Sequence, residues 1–359
     1  MKVLMISIDK GLLGKGQTGD VIERHREYGR HIEKLDIIVF SKKGFEKYQI
    51  SENVTAYPTN SRFKLKYICN AKKIGKDLFG ITKYDLIITQ TPFLTGLVGW
   101  KLKKKFGAKL LVHFHGDFWQ NQNWLKEKRI NRILLKISKF VVKRADAIRV
   151  MSEGQKEKLG GYKNKAKVVS TPVDLEKYKR LEVKDQKSRK VVLHVGRYDK
   201  VKDLPTLNKA WQLVGQKNSD VDFIQAGGGQ KAEQELSDVS VTVHSIVDHR
   251  GLVDFFHNAD VLVLSSTSES FGKVLVEANA CGKPVVSTAT TGAKEIIQDG
   301  VNGFLVPIGD AEKLADKILY LLNNSDRAKE MGERGRELVK EKYGDNTQKI
   351  INFWKEIVS

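Results

Sequence analysis

Cysteine is nearly missing from this 359-residue chain: there are two, Cys69 and Cys281, far apart and in no metal-ligand spacing. That excludes a disulfide-stapled scaffold or a zinc ribbon, and it predicts reduced thiols in a cytoplasmic protein. Long apolar runs are missing too. None reaches the roughly 18 residues that a membrane-spanning helix needs. The opening Met1-Lys2-Val3-Leu4-Met5-Ile6-Ser7-Ile8-Asp9 is too short an apolar stretch for a signal peptide. Acid is scarce only in the first half. Residues 1–180 hold 39 Lys and Arg against 17 Asp and Glu, whereas residues 181–359 hold 24 against 26. The net charge of +20 therefore sits wholly in the first half. Such a field attracts an anionic partner: a membrane surface, nucleic acid or a phosphorylated substrate.

What is present is ordinary for a folded protein, 40% hydrophobic and 30% charged, and the length suits two cores rather than one. In the first half, strands are expected at Val3–Ile8, Asp36–Phe40, Asn53–Tyr57, Leu86–Thr89, Lys109–Phe114 and Ala147–Val150. Helices are expected over 21–34, 64–79, 94–106 and 124–144. A charged stretch, 179–190, reads as a linker. The pattern then restarts, with strands at Val191–Val195, Val221–Ala226, Ser240–His244, Val261–Leu264, Pro284–Ser287 and Gly303–Val306. The helices between them span 203–215, 230–237, 249–257, 272–280 and 311–322. This alternation predicts an α/β protein of two doubly wound, Rossmann-like domains in tandem. The domains are expected at 1–172 and 173–343, with a helix in 344–359 that packs back on the first. Ligands of such sheets sit at the carboxyl ends of the strands, so the expected site is an interdomain cleft.

Three glycines after the first strand, Gly14, Gly16 and Gly19, satisfy G-x-G-x-x-G, a dinucleotide pattern. The turn is loose, and no acid closes the second strand to hold a ribose. A phosphate-loop reading fails at Gln17, where the lysine should stand. What remains is either a plain loop or a loop whose backbone amides face a phosphate as a helix begins near Gly19.

The second half is more specific. Strand 191–195 runs into Gly196-Arg197-Tyr198-Asp199-Lys200-Val201-Lys202-Asp203. Arg197 and Lys202 place two cations at a strand's carboxyl end, where they suit a diphosphate or are simply solvated surface charge. Further on, Ser265-Ser266-Thr267-Ser268-Glu269-Ser270-Phe271-Gly272 leads into a helix carrying Glu277. Eight residues of helix rise about 12 Å, enough for Glu269 to touch a hexose and Glu277 a ribose. Amides at the helix start, around Phe271–Val274, could meet the phosphate between them. Taken singly, Glu269 could be a helix-dipole partner and Glu277 a surface residue.

These residues, with Thr291-Gly292-Ala293-Lys294-Glu295, Asp299-Gly300-Val301-Asn302-Gly303 and the crossing segment Thr171-Pro172-Val173-Asp174, resemble glycosyltransferase family 4, retaining enzymes of the GT-B fold. The resemblance runs through almost all of the C-terminal half and touches the N-terminal half at a few points. It implies that Arg197 and Lys202 neutralise a donor diphosphate in place of a metal ion. Glu277 would bind the ribose, and Glu269 with the backbone of Phe271 and Gly272 would hold the sugar. His115 stands where the family places a histidine facing the transferred sugar; the other reading is a satisfied histidine at a strand end. His113 is expected to point into the sheet. Gly14 and Gly16 would approach the diphosphate. No metal and no cofactor are implied beyond the nucleoside diphosphate sugar itself. Ser245, Gly228 and Gln230 depart from the family pattern around the nucleobase. Asp220-Val221-Asp222 copies a metal-binding acidic pair only superficially, since it begins a strand.

The basic half should hold the acceptor. In 124–144, apolar Ile130, Ile133, Leu134, Ile137 and Val141 recur at helical spacing. Lys126, Arg129, Arg132, Lys136, Lys139 and Lys143 surround them, with Arg62, Lys64, Lys66, Lys72, Lys73 and Lys76 in a second cluster and Lys101, Lys103, Lys104 and Lys105 in a third. The helix is either core-facing with a solvated cationic face or a docking element on anionic lipid. The second reading points to a lipid-linked acceptor and a peripheral protein on the inner face of the cell membrane. Two alternatives stand beside it: a transferase for a small or saccharide acceptor, separable by vesicle sedimentation, and a nucleic-acid-binding protein. The latter rests on charge alone, without an aromatic RNA-binding motif, so no nucleic acid is expected.

Overall fold

The computed structural model describes residues 1–15, 20–178, 189–227, 236, 241–244, 251–344 and 346–359. Gly16, the linker residues 179–188 and the expected helix 230–237 (apart from Leu236) lie outside that description, as do Gly228, Gln230 and Ser245. The chain divides into two compact units, Met1–Ser170 with Asn346–Ser359, and Thr171–Asp345.

The first unit is built on β1 (Lys2–Ser7), α1 (Val21–Gly29), β2 (Lys34–Val39), β3 (Tyr48–Ser51), β4 (Val54–Pro58), α2 (Tyr67–Ile81), β5 (Leu86–Thr89) and α3 (Leu94–Phe106). It continues through β6 (Lys109–Phe114), α4 (Gln122–Glu127), α5 (Ile130–Arg144), β7 (Ala147–Val150), α6 (Glu153–Lys158) and β8 (Ala166–Val168). The strands lie in the order β3-β4-β2-β1-β5-β6-β7-β8, parallel except for β3, which runs against β4. Strand residues alternate between two cores. Val3 and Met5 join the one lined by α1 and the helix Asn346–Val358, whereas Leu4 and Ile6 join the one beneath α2, α3 and α5. Burial on both faces is why these strands read as continuous apolar runs. The helix Asn346–Val358 contributes Ile350, Ile351, Phe353 and Trp354 to the first core. Where β8 gives way to Ser170, the buried guanidinium of Arg149 donates to the carbonyls of Val169 and Ser170, at 2.7 and 2.8 Å.

Three sequence expectations are corrected in this unit. Segment 124–144 is not one helix: α4 ends at Glu127 and α5 begins at Ile130, with Lys128 extended between them. Ile130 and Ile133 are not core residues either; they are 56% and 58% exposed, because the first turn of α5 overhangs the core that Val141 and Val142 reach. The expected helix 21–34 also stops early, at Gly29.

The second unit holds β9 (Lys190–Val195), α7 (Leu204–Lys217), β10 (Val221–Ala226), β11 (Val241–His244), α8 (Gly251–Asn258), β12 (Val261–Leu264) and α9 (Lys273–Ala280). β13 (Val285–Thr288), α10 (Ala293–Ile296), β14 (Gly303–Val306), α11 (Ala311–Asn323) and α12 (Ser325–Tyr343) complete it. All its strands are parallel, in the order β11-β10-β9-β12-β13-β14. Connections leave β9 toward one edge and β12 toward the other. Their carboxyl ends therefore form a topological switch point, the place where such sheets take ligands.

Candidate functional site

The site of the second unit grows from the two loops at that switch point. They are knitted together by their backbones: Thr267 N–H donates to Val201 O at 2.8 Å, and Ser265 Oγ donates to Lys202 O at 2.7 Å. Lys202 then extends beside Gly196, where a Cβ would stand 3.4 Å from its Cε. Its ammonium lies 2.5 Å from Glu269 Oε1, the two side chains 19% and 15% exposed. Ser266 Oγ donates to the same oxygen at 2.9 Å. The cation and the acid singled out from sequence thus converge on one point.

The loop after β12 is held from behind. Gly292 N–H donates to Glu269 O at 2.7 Å, and a Cβ on Gly292 would come within 2.6 Å of the Phe271 backbone. The glycine in that motif is required by this close approach. Phe271 is buried edge-on against Tyr343. Gly272 follows in the left-handed region, φ 84°, and caps α9 with no side-chain hydrogen bond. Glu277, one possible surface residue by sequence, is instead only 2% exposed. It accepts a hydrogen bond from Tyr178 Oη at 2.8 Å and pairs with Lys273 at 3.2 Å. Arg197 is the outlier: it is exposed and makes no hydrogen bond or ion pair with a described residue.

Beneath the Arg197 loop lies a buried polar relay that sequence reasoning missed. Gln225 Nε2 donates to the carbonyls of Gly196 and Gly227, at 3.1 and 2.8 Å. Carbonyls only accept, so the amide oxygen must face the other way, toward His194 Nδ1 at 2.5 Å. That oxygen also only accepts, which places the imidazole proton on Nδ1. Burial, and then the charge of Lys202, push His194 down to about 4, so the ring is neutral. Gly227, with φ 95°, has room for no side chain, since a Cβ would meet Gly196 O at 2.7 Å.

Other motif residues are structural. Buried Asn302 donates to Asn279 Oδ1 and Ile296 O, and Asp299 Oδ1 accepts from Leu305 N. Asp222 pairs on the surface with Arg189, at 2.8 Å. Among the described residues, no three His, Cys, Asp or Glu side chains gather as a metal site would require.

In the first unit, Gly14 ends the short 3-10 turn Lys10–Leu13 with φ 73°, and the Tyr48 ring occupies the space a Cβ would need. The turn alone accounts for a glycine there. His113 is buried within the sheet, and its Nε2 has no hydrogen-bond partner among the described residues. His115 stands just past β6. The protein packed around it and the cations Arg149 and Arg24 push it down to about 3. The residue is itself exposed to solvent, and the shift favours a neutral imidazole. Lys126, Arg129, Arg132, Lys136, Lys139 and Lys143 are all exposed, on α4 and α5 and the break between them. No helix among the described residues is long and apolar enough to cross a membrane.

Two family models cover most of the chain in succession. One described as Glycosyltransferase Family 4 matches residues 26–177, and one described as Glycosyl transferases group 1 matches residues 177–338. An uncharacterized glycosyltransferase of Methanocaldococcus jannaschii is 30% identical over 354 residues, covering 95% of this chain and 93% of its own. Among solved structures, sucrose-phosphate synthase from Thermosynechococcus elongatus has a TM-score of 0.87 at 20% identity, over 99% of both chains. Anabaena HepE, solved in complex with UDP-glucose, has a TM-score of 0.79 at 19% identity, over 99% of this chain and 100% of its own. A relative of this identity along nearly the whole length, on two parallel-stranded units of the same fold, makes the chain a member of the GT-B glycosyltransferases.

Proposed function

We propose that this glycosyltransferase is a retaining, metal-independent enzyme. It moves a hexose from a nucleoside diphosphate sugar to a lipid-linked acceptor at the inner face of the cell membrane. The observation that carries the donor half of this reading is the convergence of Lys202, Glu269 and Ser266 at the switch point of the second sheet. HepE, of the same fold, was solved with UDP-glucose, which favours a uridine donor.

Transfer breaks the bond between the anomeric carbon and the diphosphate oxygen. Positive charge develops on the sugar and negative charge on the leaving group. Lys202 and the exposed Arg197 meet that negative charge, and cations already in place stabilise it more in the transition state than in the ground state. Glu269 and the backbone at Phe271 and Gly272 hold the hexose. Glu277 takes the ribose hydroxyls, exchanging part of its present bonding to Tyr178 and Lys273. A neutral His115 is the proposed neighbour of the transferred sugar, where an imidazolium would oppose the developing charge. The acceptor oxygen bonds the anomeric carbon on the face the diphosphate leaves, and its proton passes to the departing phosphate oxygen.

The acceptor half rests on the exposed cations of α4 and α5, each worth about 1 kcal/mol near an anionic surface. The test is calorimetric titration with UDP- and GDP-sugars, then transfer to lipid extracts with the product's anomeric configuration read by NMR. Inversion at the anomeric carbon would remove the retaining assignment, and absence of nucleotide binding would remove the donor site.

A further inference from the structure

Among the described residues Leu65 is the most exposed large apolar side chain, at 91%, and Phe63 beside it is 54% exposed. They alternate with Arg62, Lys64 and Lys66, all exposed, on the turn that leads into α2. Single exposed leucines need no explanation; this pair has company. Ile130 and Ile133 stand out at the start of α5, among exposed Lys128, Arg129, Arg132 and Lys136.

The two pairs occupy one rim. Helices α2, α3 and α5 pack side by side over the same core, and each starts at the carboxyl edge of the sheet because it follows a parallel strand. The starts of α2 and α5 are therefore two helix spacings apart, roughly 20 Å. Charge around both is one-sided. Residues 53–76 contain no acid, and Glu127 is the only acid between Asp117 and Asp146. Apolar side chains standing clear of the core, ringed by long cations, suit a surface that is anionic outside and apolar just beneath. A nucleic acid would use the cations and stack on Phe63, but it would leave Leu65, Ile130 and Ile133 unsatisfied.

We propose that Phe63 and Leu65, together with Ile130 and Ile133, insert into the acyl boundary of an anionic bilayer while the flanking cations hold its headgroups. This rests on the membrane reading given above and deepens it. It names a second, apolar contact at a turn outside the α4–α5 segment.

The test is vesicle sedimentation with phosphatidylcholine alone and mixed with phosphatidylglycerol, at low and high salt. Wild type should bind the mixed vesicles and keep a residue of binding at high salt. Phe63→Ser/Leu65→Ser should lose roughly tenfold or more in partitioning, including the salt-resistant part. Arg62→Gln/Lys64→Gln should lose mainly the salt-sensitive part. These side chains carry no core contacts, so thermal unfolding and nucleotide binding report that the variants are folded. Leu65→Trp adds a direct readout: its extra emission should shift to the blue and be quenched by brominated acyl chains. Wild type that ignores anionic vesicles at low salt would remove the membrane reading, and this inference with it. Wild type that binds, with Phe63→Ser/Leu65→Ser binding equally and Leu65→Trp unshifted, would overturn the insertion alone. So would loss of self-association, rather than of vesicle binding, in that double variant.

Discussion

Lys202 and Glu269 meet head to head, nitrogen to oxygen at 2.5 Å, each less than a fifth exposed. An ion pair so placed can be either a structural clip or a poised binding element. The reversed pair separates these. Lys202→Ala should weaken donor binding by roughly 1.5–3 kcal/mol, the scale of a hydrogen bond to a charged group. Lys202→Glu/Glu269→Lys restores an ion pair, and with it thermal stability, but puts a carboxylate where the diphosphate should lie. Donor titration of the swapped protein should therefore stay near the baseline. Wild-type affinity in that protein would mean the pair serves the fold only.

Glu277 and Tyr178 make a second separable pair. Glu277→Ala should cost donor affinity roughly 1.5–3 kcal/mol, read by calorimetry. Tyr178→Phe removes one buried hydrogen bond to that carboxylate, so denaturant unfolding should show a loss of about 1.5 kcal/mol. Donor affinity should fall less than in Glu277→Ala. Equal affinity losses would assign the ribose contact to the tyrosine.

Gly292→Ala should be costly, because its methyl group would meet Phe271 backbone rather than a yielding side chain. Roughly 1–3 kcal/mol of stability is expected to go, with transferase activity lost as the Glu269 loop shifts. Gly215→Ala in α7 is the matched control: its nearest neighbour is the Phe223 ring at 3.8 Å. A helix there gains about 0.5–1 kcal/mol from alanine. Unfolding midpoints of the two variants should therefore move in opposite directions.

Acid should destabilise the protein through its buried histidines. Desolvation first of all holds His25 down at about 3 and His194 at about 4, and lowers His113 well below its usual value. In the unfolded chain each titrates near 6.5. Their contribution to stability is complete above that pH. As pH falls from about 6.5 toward 4 the unfolded state binds protons that the fold excludes, and stability drops. Denaturant midpoints between pH 8 and pH 5 check this, and His194→Phe should flatten part of the slope. A midpoint that stays level down to pH 5 would contradict it.

Strands were legible because both faces of each sheet are covered: Val3 to Ile6, or Val261 to Leu264, are apolar without interruption. α12 was not, since its buried face is made of Met331, Gly332, Gly335, Val339 and Tyr343. Glycines there let the helix press against Gly282 and Asn279, and a hydrophobic period cannot register a face built from hydrogen atoms. At the site, the charged residues announced themselves at strand ends, whereas Gln225 and His194 lay inside strands whose polarity seemed incidental. Tyr178 sits just before the charged stretch, with nothing in sequence to tie it to a glutamate 99 residues away. Ile130 and Ile133 fit the period of α5; only the third dimension showed that its first turn leaves both side chains exposed.

The wall of the first unit supplied by Asn346–Val358 has a consequence for how the protein is born. Asn346 bonds Ser170, 176 positions earlier in the chain, and Trp354 closes a core whose strands were translated long before. On the ribosome, the second unit can complete its own packing while the first still shows a bare apolar flank. Folding in order of synthesis is the usual habit of multidomain chains; here the half that emerges first is the half that is finished last.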